Sequence, residues 1–172
     1  MQKLCNLPAV DLEFLSSIFY FITLKCPVKT EYQWCYYGTD DIFFNRISQP
    51  FFFSKNNVID KNKHSLCAEI STQTSSSIFK NPAALQSKII DDLVAAKVIN
   101  SAADISNINF LSIENTYPIY KKNYKEELAK LLNDINKFSN IFLLGRCGKF
   151  WYNNMDHSIK DAFDTVAAVI AE

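Results

Sequence analysis

Ile18-Phe19-Tyr20-Phe21-Ile22-Thr23-Leu24-Lys25-Cys26 is the stretch on which the fold turns. Aromatic and β-branched side chains fill a pleated, half-buried surface better than a helix, and Pro27 ends the run, so a β-strand is predicted here. A short helical turn over about residues 9–16 is expected before it. Working outward, residues 33–37 (closed by Gly38), 43–48 (closed by Pro50) and 65–72 read as further strands. Their connections are short and polar with no helix between them, which favours antiparallel pairing.

After the polar run 71–77 the apolar period changes. Asn81-Pro82 reads as N-cap and first helical position, and Leu85, Ile89, Leu93, Val94 and Ala96 recur at helical spacing, so a helix is predicted over 82–97 with Asn100 as its stop. Residues 105–113 return to strand, and Tyr117-Pro118-Ile119-Tyr120 is extended because proline restricts the residue before it. A second amphipathic helix, 125–138, is carried by Leu128, Leu131, Leu132 and Ile135. Ile141-Phe142-Leu143-Leu144 reads as a fully buried strand of the parallel kind. The last helix, 156–171, has Asp156 as candidate N-cap and Ile159, Phe163, Val166, Ala167 and Ile170 as its apolar stripe. The predicted class is α+β: a mainly antiparallel sheet with helices over 1–120, then a helix, strand, glycine turn and helix over 121–172.

Composition narrows the function classes. The 172 residues carry 18 Lys+Arg against 18 Asp+Glu, and the lysines are scattered, so no basic stripe marks a nucleic-acid binder. With 48% hydrophobic residues there is enough apolar surface for a core. The apolar stretch 14–24 is about half the length a bilayer span needs, and Met1-Gln2-Lys3 does not open a secretory signal. Cys5, Cys26, Cys35, Cys67 and Cys147 are odd in number and lack CxxC spacing, which predicts reduced, mostly buried thiols, a cytoplasmic setting and no metal site.

Candidate chemistry gathers near the C-terminus. The only glycines are Gly38, Gly145 and Gly148, and a chain this sparing of glycine uses it where φ is positive or backbone approaches closely. Residues 144–159 also hold one of two arginines, Arg146, whose fork of donors suits phosphate oxygens. The amides opening the last helix point toward whatever lies beside Asn154 and Met155. A tight turn whose aromatics simply cover the core accounts for the same residues. His64 and His157 are isolated, and Asp91-Asp92 and Glu126-Glu127 read as solvated helix faces.

Gly145-Arg146-x-Gly148-x-Phe150-x-Tyr152-x-Asn154-Met155-Asp156-His157-Ser158-Ile159 resembles the C-terminal flavin-binding signature of the flavoprotein group of UDP-galactopyranose mutases and protoporphyrinogen oxidase-like or amine oxidase-like proteins. Upstream, Phe43-Phe44-Asn45-Arg46-Ile47 is similar to the aromatic-Arg strand of that group's substrate domain, and Tyr117-Pro118-Ile119-Tyr120 to its Tyr-Pro segment. Residues from about 10 to 172 then correspond to the group's C-terminal half. The resemblance implies that Gly145 and Arg146 lie along the FAD pyrophosphate and ribityl chain and that Met155 and the first amides of the last helix approach the pyrimidine edge of the flavin ring, with Gly148, Asn154 and Asp156 in the same cofactor-binding set. It implies a substrate side of Arg46, Tyr117, Tyr152 and Asn154, where a nucleotide-sugar diphosphate binds in the mutases.

The group's opening strand, GxGxxG turn and helix are absent from this sequence. The chain is therefore expected to be a C-terminal part of an FAD-dependent oxidoreductase or mutase, inactive alone, with 141–144 and the last helix left as an apolar surface. A homo-oligomer or a separate FAD-binding N-terminal half would cover it. A non-catalytic dimerising, ligand- or partner-binding module derived from such a flavoprotein is the alternative. A generic α+β domain with a coincidental motif is the third.

Overall fold

The computed structural model describes residues 5–58, 60 and 63–171. They form an α+β fold that divides into two compact units, one of residues 16–114 and one that joins the segment up to Leu15 to residues from Asn115 onward. The strands are β1 (Glu13–Leu24), β2 (Trp34–Tyr36), β3 (Arg46–Ser48), β4 (His64–Thr72) and β5 (Ile105–Ile119). They lie in the order β2-β3-β4-β1-β5.

In the larger unit the ladders β2/β3, β3/β4 and β4/β1 are antiparallel. Ser106 Oγ donates to Thr23 O and Lys25 N–H to Asp104 O, so β5 also runs against β1. Alternation then sorts the side chains. Ile47, Ala68 and Tyr20 stand in one cross-strand row and are buried, and Ile18, Ile22, Leu24, Leu66 and Ile70 join them. Ile89 and Leu93 of α3 (Gln86–Ala95) complete this core. Each such side chain contributes about 2 kcal/mol through apolar burial.

The predicted helix 82–97 is a 3-10 turn, Pro82–Leu85, followed by α3, and it ends earlier than Asn100. Asn81 precedes Pro82 as foreseen, with no side-chain cap bond. The helix stops in a Schellman arrangement: Val98 N–H donates to Leu93 O and Lys97 N–H to Val94 O, both at 2.9 Å. Lys97 sits at φ 58, a conformation that favours glycine. Lys97→Gly is therefore expected to raise stability by about 1 kcal/mol, read from the urea midpoint. Two one-turn helices, α1 (Pro50–Phe53) and α2 (Ser77–Lys80), flank β4, and Ser76 caps α2 by accepting from Phe79 N–H.

The smaller unit carries α4 (Tyr124–Ile135), α5 (Gly145–Gly148) and α6 (Met155–Ala171). No helical turn occupies 9–16: β1 begins at Glu13, and Thr116 Oγ1 of β5 donates to Leu15 O, so cross-strand pairing overrides the local pattern. Residues 105–113 and 117–120, expected as separate extended pieces, join in the single strand β5. Pro118 is accommodated because β5 lies at the edge of the sheet. Phe150, buried at φ 50, is held edge-on by Phe14 at 4.9 Å and by Tyr120 at 5.9 Å.

Residues 141–144 are extended but form no strand, because among the described residues none offers them a partner. Asp156 lies in the first turn of α6 rather than at its cap, since the helix starts at Met155. The apolar stripe of α6 exists, but it is exposed, and none of the helix's described residues is buried.

Candidate functional site

The sheet has one covered and one open face, and the register fixes what the open face shows. Trp34, Ser48, Cys67 and Phe21 stand in one cross-strand row, and Tyr36, Arg46, Glu69 and Phe19 in the next. Trp34, Tyr36 and Phe21 are exposed. Trp34 stacks on Phe53 with ring centroids 5.5 Å apart, which makes a broad aromatic shelf at the β2 edge. Arg46 forms an ion pair with buried Glu69, donates to Tyr36 Oη at 3.3 Å and lies 5.6 Å from that ring's centre. An aromatic shelf beside a guanidinium is suited to a planar ring carrying negative charge.

Cys67 lies in the same row. Burial, then the Glu69 carboxylate, push its thiol up to about 11, with Arg46 opposing. None of the five thiols is fully buried and all are free, contrary to the expected buried set: Cys5 and Cys26 lie in loops, Cys67 on the open face, Cys35 beside Ile47 on the short outer strand β2, and Cys147 in α5. Thiol alkylation at pH 8 is expected to label exposed Cys147 well before Cys67, as peptide mapping would show.

The smaller unit assembles Arg146, Tyr117 and Tyr152. The Arg146 guanidinium sits 4.8 Å from the Tyr117 ring centre and 4.9 Å from that of Tyr152. Its Nη1 donates to Thr116 O at 3.2 Å and its Nη2 to Asn153 O at 2.6 Å. Tyr152 N–H donates to Tyr120 Oη at 2.6 Å, which fixes the Tyr152 end of this arrangement. Asn154, Met155 and Asp156 follow as exposed residues where α6 begins. Arg46 belongs to the other unit, in the setting already described.

Glycine behaves differently at the two candidate positions. Gly145 has φ +64, which side-chain-bearing residues adopt only under strain. At Gly148 an added Cβ would meet the Leu143 backbone at 3.5 Å, an ordinary contact, so that glycine is not sterically required.

An FAD pyrophosphate, implied by the motif, would need donors that face outward. The residue types present are suitable, yet their donors are engaged within the chain. Gly145 N–H donates to Asp161 Oδ2 at 3.0 Å, Lys149 pairs with the other oxygen of that carboxylate, and both terminal nitrogens of Arg146 serve backbone carbonyls. As it stands, this turn presents a carboxylate where an anion would bind, so it does not fit the group. The Lys149 hydrogen bond, then the Gly145 amide, hold the Asp161 carboxyl below the usual range. A depressed carboxylate stabilises the turn above its unfolded pKa of about 3.9, and that stabilisation is lost as pH falls through the lower folded value. The Gly145 amide resonance in an NMR pH titration is expected to move only below about pH 4, and Asp161→Asn to abolish that step.

Asp161, Lys149, Tyr120 and buried Asn153 were not foreseen as part of this turn, and Trp34 and Tyr36 were not foreseen on the open face. The last two were legible from alternation along β2; Asp161, a full helical stretch from Gly145, offered no local spacing. Among the described residues no group of three or more His, Cys, Asp or Glu side chains is placed to hold a metal ion. Among them, too, no helix is long and apolar enough to cross a membrane.

An open-faced antiparallel sheet joined to a helix–turn–helix segment is a partial α+β architecture, and solved structures show where it occurs. Comparison with protein-family models and with curated protein sequences gives no match. A crystal structure of reduced UDP-galactopyranose mutase matches 94% of this chain with a TM-score of 0.79 and 23% identity. A candidate protoporphyrinogen oxidase from Exiguobacterium sp. 255-15 matches 92% with a TM-score of 0.68 and 10% identity. This chain spans 35% of the length of each. The likeness is one of fold: the chain folds as about a third of those proteins.

Proposed function

We propose that this chain is the substrate-facing and C-terminal part of an FAD-dependent oxidoreductase or nucleotide-sugar mutase, inactive alone and completed by a polypeptide carrying the dinucleotide-binding part. The observation that carries this reading is the fold match along 94% of the chain to only 35% of the mutase. The motif residues agree with it, since Arg146, Tyr117 and Tyr152 cluster. Flavin supplies the electron chemistry in such proteins; the chain's own residues bind and orient substrate. On the open face the Trp34–Phe53 shelf would take a base ring and Arg46 a diphosphate oxygen. In the other unit Tyr117, Tyr152 and Asn154 belong to the substrate side; the resemblance gives Met155, Asp156, Gly145, Arg146 and Gly148 to the cofactor side, a role the turn takes only if the Asp161 carboxylate leaves the Gly145 amide. Five free thiols accord with a reducing, cytoplasmic compartment.

The test is a titration with a uridine diphosphate sugar, followed by Trp34 fluorescence in a Trp151→Phe background. Saturable quenching is expected, weakened about tenfold or more by Arg46→Ala. No quenching, or quenching indifferent to Arg46, would overturn the assignment of the open face. The exposed stripe of α6 favours a second reading, a non-catalytic dimerising or partner-binding module. Light scattering that shows a stable dimer without nucleotide-sugar binding would support it.

A further inference from the structure

β5 is one edge of the sheet, and over residues 105–114 it lacks the devices that keep an open edge from pairing. The opposite edge, β2, is only three residues long. Ile105-Ser106-Asn107-Ile108-Asn109-Phe110-Leu111-Ser112-Ile113 holds no charged side chain and no proline, and Glu114 is the first charge after it. Natural sheets blunt their edges with short strands, lysines and prolines. Among the described residues no backbone group beyond those of β1 bonds to this stretch. Alternate N–H and C=O groups along it therefore face outward as a template for another strand.

The apolar side chains of this edge stand on both faces. The Phe110 ring lies 6.1 Å from that of Tyr20, on the covered side, and Ile108 packs against the same core. Alternation puts Leu111 and Ile113 on the open side. Phe110, Leu111 and Ile113 are 44%, 50% and 41% exposed. A matching occupant has to be an extended chain that carries apolar groups on both faces at the same level and brings no charge to the middle of the pairing. A second copy of residues 105–114 meets each of these conditions.

We propose that two copies of this chain pair through β5, antiparallel across a two-fold axis normal to the sheet, so that their five-stranded sheets become one continuous sheet. Such an axis keeps each face on its own side, and it makes one surface patch serve both copies. With the axis at Phe110 the two Phe110 rings meet, Leu111 stands opposite Asn109 and diagonal to its own copy, and Glu114 stands opposite Ser106. No like charges are apposed in this register, whereas an axis at Leu111 would set Glu114 against Ile108 and one at Glu114 would set two carboxylates together. Paired strands of this length bury on the order of 1,000 Å² in total, the lower end for specific interfaces, so the dimer is expected to dissociate in the micromolar range. The pairing goes beyond the function proposed above and needs neither flavin nor substrate.

The experiment is sedimentation of the full chain between about 1 and about 200 µM, where a monomer–dimer equilibrium is expected. Leu111→Lys places a charge on the edge and is expected to weaken the dimer about tenfold or more, while Phe163→Asp, on the exposed stripe of α6, leaves it unchanged. Both side chains are exposed, so the urea midpoint of each variant at the lowest concentration is expected to match the parent's. Hydrogen exchange of the parent gives a readout without substitution: alternate amides of 106–114 are expected to exchange about fivefold more slowly at the highest concentration than at the lowest. A chain that stays monomeric, exchange over 106–114 that ignores concentration, a dimer that Leu111→Lys leaves intact, or one that Phe163→Asp dissolves would overturn the proposal. Failure of nucleotide-sugar or flavin binding would leave these readouts in place, so the two readings fail separately.

Discussion

Arg146→Ala is expected to destabilise the smaller unit by about 3 kcal/mol, measured by urea unfolding with Trp151 fluorescence as reporter. One side chain supplies two charged hydrogen bonds to carbonyls of different segments, Thr116 O and Asn153 O. It also contacts two tyrosine rings at under 5 Å. Charge-assisted bonds contribute about 1.5–3 kcal/mol each when buried, and partial exposure lowers that, while each cation–π contact adds about 0.5–1 kcal/mol. Arg146→Lys keeps the charge and loses the planar fork, so about half of the loss is expected. Equal stability of Arg146→Ala and the parent would show that the guanidinium does not tie these segments together.

Tyr20→Ala is expected to cost about 4 kcal/mol in the larger unit, the loss typical of a large core side chain. Tyr20 is fully buried in the row with Ile47 and Ala68, and its hydroxyl donates to Pro82 O at 2.6 Å. That bond ties β1 to the turn from which α3 starts. Tyr20→Phe keeps the packing and removes only the donor, so a loss of about 1–2 kcal/mol is expected. A Tyr20→Phe loss equal to that of Tyr20→Ala would mean that the hydrogen bond, not the packing, holds the ring.

The sheet was legible because its evidence is local. Aromatic and β-branched content along 18–26, the proline and glycine ends of the runs and the short polar connections point to antiparallel strands, and β1 and β4 pair antiparallel from Ser16↔Thr72 to Leu24↔His64. Arg146 was singled out by rarity and does organise its surroundings, though through carbonyls and rings rather than by facing outward. Residues 141–144 carry a strand's composition, but a strand exists only with a neighbour, and sequence reports the preference without the partner. The end of α3 was hidden for a related reason: Lys97 occupies the position where glycine would have announced the stop. Asp161 at the Gly145 amide was unreadable because that contact arises only once α6 folds back beside the turn.

The function proposed above has this chain contribute to a flavoprotein only together with a polypeptide carrying the dinucleotide-binding part. Its most direct test is the visible absorption of the chain after mixing with FAD and removing the excess, first alone and then after co-expression with a polypeptide carrying a GxGxxG dinucleotide-binding half. The account predicts no flavin on the chain alone and a retained flavin spectrum on the complex. Flavin retained by the chain alone, or a complex that stays colourless, would contradict it.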